Sequence, residues 1–196
     1  MSVKMEHRLF VLVLFSISSF VASIFILRIN WRRYGIIYLL SSLLGTLFCF
    51  LFVSFGFYSF PITILPRFSI PIIEMATVLP FLVMFGIRYS PVKWAWKIPF
   101  YWALVHLIML QETLFLSKPI HLIQYEFEWD FWDSYTWWWI FLLLFEWIGG
   151  LIVPDEARKP IRSRSFRYGQ WAWAVFHFIV ILTIFLGGFY LGRISQ

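Results

Sequence analysis

Runs of about twenty apolar residues recur along this chain, and each is long enough to carry a helix across the ~30 Å hydrocarbon core of a bilayer. Six such spans are predicted, over residues 9–27, 36–57, 68–87, 99–116, 135–153 and 171–191. A soluble domain carries roughly 25% charged residues. Here 13% of the 196 residues are charged and 61% are hydrophobic, too few charges to coat a surface in water. The expected fold is therefore all-α: a polytopic transmembrane helical bundle of six spans forming one integral membrane domain. Lys4 and Arg8 ahead of the first apolar run give it the look of a signal peptide. The run is longer than the ~7–15 residues of a leader's apolar core, so it reads as a retained span.

Six spans put both termini on one side, and the connections after spans one, three and five on the other. That other side holds Arg28, Arg32, Arg33, Arg88, Lys93, Lys97, Arg158, Lys159, Arg162, Arg164 and Arg167, while the side of the termini holds Lys4, Arg8, Arg67, Lys118 and Arg193. Positive charge favours the cytoplasm, so both termini are expected outside. Topology thus explains the formal net charge of +6, and no nucleic-acid partner is expected. The run Arg158, Lys159, Arg162, Arg164 and Arg167 also suits anionic lipid headgroups. On the outer side, Glu126, Glu128, Asp130 and Asp133 alternate with Tyr125, Phe127, Trp129, Phe131 and Trp132. This aromatic-rich segment between spans four and five should lie along the interface, either as an anchor or as an acidic vestibule for cations.

Small residues four apart, Ser19 and Ser23, Ser41 and Gly45, Gly188 and Gly192, let helix backbones approach closely. Pro80 falls inside the third span, where it removes a backbone hydrogen bond. Cys49 is alone and apolar in context, which leaves no disulfide and no thiolate metal site.

Ionisable side chains inside lipid are expensive, so the few present are the candidates for function. Glu74 and Glu112 fall at one depth, roughly 7–9 Å below the outer surface at 1.5 Å per residue. If they face each other, they make a shared-proton or cation site, with Gln111 as a neutral oxygen ligand and His121 just beyond the membrane edge. The plainer reading is that each snorkels to water or bonds a neighbouring helix. His106, Glu146 and His177 form a second polar layer nearer the cytoplasm. Two imidazoles and a carboxylate at one depth suit a metal or haem, a proton relay, or simple hydrogen bonding between helices. No paired-histidine zinc helix, nucleophile elbow or phosphate loop occurs, so no catalytic residue, metal site or cofactor is assigned.

The segment Trp31-Arg32-Arg33-Tyr34 leading into the second span, Pro80 in the third, Glu112 near the end of the fourth and Trp137-Trp138-Trp139 opening the fifth make a layout. It resembles a family of small multi-pass membrane proteins from endospore-forming Firmicutes. The resemblance implies a bacterial cytoplasmic membrane and a link to sporulation or germination, and it carries over no catalytic residue.

Three functional readings follow. One is a non-catalytic membrane subunit that docks a membrane protein partner or a second copy of itself, favoured by the lack of the internal repeat common among transporters. Another is a small proton- or cation-coupled carrier or channel using Glu74, Gln111 and Glu112. The third is an intramembrane haem or metal protein built on His106, Glu146 and His177.

Overall fold

The computed structural model describes residues 3–118, 120–127, 129–161 and 176–178. Five long helices dominate it: α1 (Val3–Leu27), α2 (Trp31–Ser54), α3 (Ile72–Tyr89), α4 (Trp94–Leu116) and α5 (Phe131–Ile152). Each is long and apolar enough to cross a membrane. Of the predicted sixth span only residues 176–178 are described, and they are helical. The rest of that span lies outside the described residues, as do Arg162, Arg164, Arg167, Gly188 and Gly192.

Helix ends differ from the predicted spans by a few residues, for local reasons. α2 begins at Trp31 because the Asn30 side chain accepts from the Arg33 amide. α5 begins at Phe131 because Asp130 and Asp133 form a reciprocal capping box. α4 starts at Trp94, five residues ahead of Pro99, which the helix accommodates in its second turn.

Alternate connections gather at opposite ends of the bundle. At one end a short strand β1 (Tyr58–Ser59), between α2 and α3, pairs antiparallel with β2 (Gln124–Tyr125), between α4 and α5. Arg8 Nη2 donates to the Lys118 carbonyl at 3.5 Å, which brings the start of α1 to the same end. At the other end, Tyr34 at the start of α2 and Arg88 at the end of α3 both donate to the Ala157 carbonyl, each at 3.0 Å. Ala157 closes a single 3-10 turn (Asp155–Ala157) just past α5.

The core follows from spacing. Tyr34, Ile37, Ser41, Gly45 and Cys49 recur every three to four residues and form the buried stripe of α2. A Cβ at Gly45 would run into the Leu79 side chain of α3, so the Ser41/Gly45 pair does permit a close helix approach. Ser19 and Ser23 of α1 are likewise buried. The largest apolar cluster joins α2, α3, α4 and α5 through residues such as Ile37, Met84, Val105 and Phe145.

α3 continues through Pro80, and its neighbour supplies what the proline removes. Pro80 has no amide hydrogen, so the carbonyl four residues back, that of Ala76, has no helical donor. The Tyr38 hydroxyl of α2 donates to it. In lipid, where water cannot serve a freed carbonyl, this is how a proline is tolerated within a span.

Candidate functional site

The end of the bundle clipped by β1 and β2 holds both Glu74 and Glu112. Glu74 enters from the first turn of α3, with Pro71 as N-cap, and is only 7% exposed. Glu112 enters from the last turns of α4. Glu74, Gln111 and Glu112 line one cavity of about 100 Å³, whose remaining walls are mostly apolar side chains of α1, α3, α4 and the adjoining loops, such as Leu12, Val78, Ile108 and Leu122, with Trp138 of α5. That volume holds several water molecules.

The two acids are treated in opposite ways. Glu112 accepts from Tyr125 Oη at 2.9 Å, Ser134 Oγ at 2.6 Å and Trp138 Nε1 at 2.9 Å. It therefore braces α4 against β2 and α5, which is the plainer of the two roles open to it from sequence. All three donors are neutral, and no salt bridge to Glu112 occurs among the described residues. Glu74 neither snorkels nor bonds a neighbouring helix among the described residues: both carboxyl oxygens are buried without a hydrogen-bond partner there. An orphaned buried carboxyl is among the costlier defects a fold can carry, worth 1–3 kcal/mol for a neutral polar group and more for a charge.

The Tyr125 hydroxyl, in the loop outside the spans, titrates above its ordinary value because of burial and then the adjacent Glu112 charge. The Tyr58 hydroxyl is raised as well, chiefly by burial. Both remain protonated donors at neutral pH.

The acidic segment nearby is largely occupied with structure. Asp130 and Asp133 cap α5, and Glu126 Oε1 accepts from Ser59 Oγ at 3.0 Å. Glu128 lies outside the described residues. The chain bends tightly here, with His121 (φ 42°) and Phe127 (φ 52°) in the left-handed region. Phe127 is exposed, whereas Trp129 turns inward onto Phe52, Phe57 and Tyr58, with ring centroids 5.0, 5.1 and 5.7 Å away.

At the opposite end, the second polar layer separates. Glu146 is fully buried and accepts from Ser90 Oγ at 2.9 Å, Tyr101 Oη at 2.6 Å and Arg158 Nη1 at 3.2 Å. It also forms a salt bridge with Lys97. Its oxygens are thus taken up by α3, α4 and the segment after α5. Arg158, expected at the lipid headgroups, points inward, with a side chain 9% exposed, and also reaches the Val153 carbonyl at 3.3 Å. Lys159 is exposed. His106 lies on the exposed side of α4, where Nδ1 meets the Trp102 carbonyl at 2.9 Å and the ring packs on Trp102 at 4.1 Å. His177 sits beside Phe176, whose ring is 5.6 Å from Trp102. Among the described residues no three His, Cys, Asp or Glu side chains converge as a metal would need.

The partners Tyr125, Ser134 and Trp138 of Glu112, and Ser90, Lys97, Tyr101 and Arg158 of Glu146, were not paired from sequence. Because α4 starts at Trp94, ahead of the predicted span, Lys97 lies one turn inside the helix, where its apolar stem can run along the helix and reach a carboxylate deeper down.

No protein family, no curated protein and no solved structure matches this chain.

Proposed function

We propose that this protein is a small proton- or cation-coupled carrier or channel of a bacterial cytoplasmic membrane, with Glu74, Gln111 and Glu112 as its coupling site. One observation carries the reading: the Glu74 carboxyl is buried in a cavity shared with Glu112, and no other side chain among the described residues donates to it. A side chain that braced helices would have a partner, as Glu112 and Glu146 do. A buried carboxylate must be matched by a proton or a cation, so Glu74 is suited to exchange one for the other.

In this reading the chain has six spans and both termini outside, an orientation supported by the excess of Lys and Arg in the odd-numbered connections. The coupling cavity then opens toward the outer leaflet, and the Glu146 network closes the cytoplasmic end. The test is ion or proton flux into liposomes containing the purified protein. Glu74→Gln should abolish protein-dependent flux with normal expression and reconstitution. Flux equal to that of the unaltered protein would discard the coupling site.

The three bonds to Glu112 favour a second reading, a non-catalytic membrane subunit in which this end is a rigid platform for a protein partner. Under it, Glu74→Gln leaves flux absent in both proteins and changes only partner recovery in mild detergent.

A further inference from the structure

Beside the coupling cavity lies a second space of about 140 Å³, and its walls are of a different kind. Aromatic residues dominate them, notably Phe52, Tyr58, Trp129, Trp137 and Trp138, and the polar residues include Glu112 and Ser134. Glu112 and Trp138 line both spaces. Most of the rings are tilted or edge-on to one another: Phe52 meets Trp137 at 4.9 Å and 59°, Trp129 at 5.0 Å and 43°, and Tyr58 at 6.0 Å and 71°, while Phe48 stacks on Phe52 at 19°.

We infer that this aromatic chamber binds a quaternary ammonium group, with Glu112 as its counter-charge. Three features select that chemistry. The carboxylate brings negative charge that its three neutral donors do not cancel, so a neutral apolar occupant would leave it uncompensated. Ring faces attract cations, most strongly those of Trp, and cages of such rings are a recurrent site for methylated ammonium groups. A hard ion such as Na⁺ or Ca²⁺ needs a shell of oxygen ligands, which these walls lack, whereas a quaternary ammonium gives up its weakly held water readily. The size agrees as well, since a cavity of about 150 Å³ admits a benzene-sized molecule. The group can belong to a free solute such as choline or to a phosphatidylcholine headgroup entering from the outer leaflet.

The inference names the cation class for the carrier reading, with which it shares Glu112, yet binding can be tested apart from flux. The full chain in detergent would be titrated calorimetrically with choline and with 3,3-dimethylbutan-1-ol, its neutral isostere. Choline is expected to bind at least about tenfold more tightly, a difference of about 1.4 kcal/mol. Trp137→Phe, which keeps a ring in place, should weaken choline binding several-fold, and Glu112→Gln and Trp137→Leu should weaken it further. The same titration in nanodiscs separates the sources. Binding present in phosphatidylglycerol but suppressed in phosphatidylcholine identifies a headgroup site, and equal binding in both identifies a free solute; either supports the chamber. Equal affinity for choline and its isostere, or equal affinity in the unaltered protein, Trp137→Phe and Glu112→Gln, would overturn it. Loss of flux in Glu74→Gln alongside intact choline binding in the unaltered protein upholds both proposals. Choline binding without any flux sinks the carrier reading alone.

Discussion

Glu112 accepts three hydrogen bonds, and Glu74, on the wall of the same cavity, accepts none. The difference arises from what faces each residue. Glu112 meets the polar first turns of α5 and the strand β2, whereas Glu74 lies in a cavity walled mostly by apolar side chains. Removing the three donors of Glu112 would disturb packing between elements; removing the Glu74 carboxyl should relieve the fold. Glu74→Leu is accordingly expected to raise thermal stability in detergent by about 1–3 kcal/mol, while Glu112→Leu lowers it, as read by detergent-resistant tryptophan fluorescence on heating.

The rise of a helix, ~1.5 Å per residue, is what lets sequence suggest a common level for Glu74 and Glu112, and the two do line one cavity. The five described spans were legible for the same reason, as lengths of apolar chain. What surrounds a residue at its depth was not. Lys97 and Glu146 lie 49 positions apart, and their pairing depends on how α4 and α5 are rotated about their axes. That rotation is set by many weak packing choices, such as the close approach at Gly45. Arg158 read as a surface charge because nothing local says that the chain turns back over α5. Some helix ends do carry local signals: Asp130 and Asp133 stand at the three-residue spacing of a capping box, and that fixes the start of α5 ahead of the predicted span.

The bond from Tyr38 to the Ala76 carbonyl exists because Pro80 cannot donate there. Tyr38→Phe should destabilise the protein by about 1–3 kcal/mol, the cost of an orphaned buried carbonyl. Pro80→Ala in the Tyr38→Phe background restores a helical donor and should recover much of that loss. A double-mutant cycle measured by denaturation in mixed micelles checks it, and additive effects would show that the bond does not compensate the proline.

Glu146 anchors Lys97 and Arg158 in a site where its own side chain is fully buried and theirs are 12% and 9% exposed. Glu146→Ala leaves two buried cations unmatched and should cost about 3–5 kcal/mol. Lys97→Met should cost less, because Ser90, Tyr101 and Arg158 still satisfy the carboxylate. Thermal denaturation of both variants gives the order.

Neighbouring glycines in α5 make a paired control. A Cβ at Gly149 would lie 2.7 Å from Ile87 side-chain atoms, whereas one at Gly150 meets nothing within 4 Å. Gly149→Ala should destabilise by about 1–3 kcal/mol through overpacking. Gly150→Ala should be neutral or stabilising by about 0.5–1 kcal/mol, the helix preference of alanine.

Raised tyrosine hydroxyls give stability a definite dependence on alkaline pH. Tyr125 and Tyr58 titrate higher in the fold than the ordinary value of 10.0, so between the two values the folded chain holds more protons than the unfolded one. Their contribution is complete below pH 10 and is lost as pH rises above it. Melting temperature against pH should therefore fall beyond pH 10, and Tyr125→Phe should flatten the fall.

The state of the Glu74 carboxyl is the most direct test of a proton- or cation-exchanging cavity. Infrared spectra of the unaltered protein and Glu74→Gln, subtracted at neutral pH, should reveal a protonated carboxyl band belonging to Glu74 that diminishes when the transported cation is added. A Glu74 carboxylate band at neutral pH, unchanged by any cation that the protein carries or binds, would contradict it.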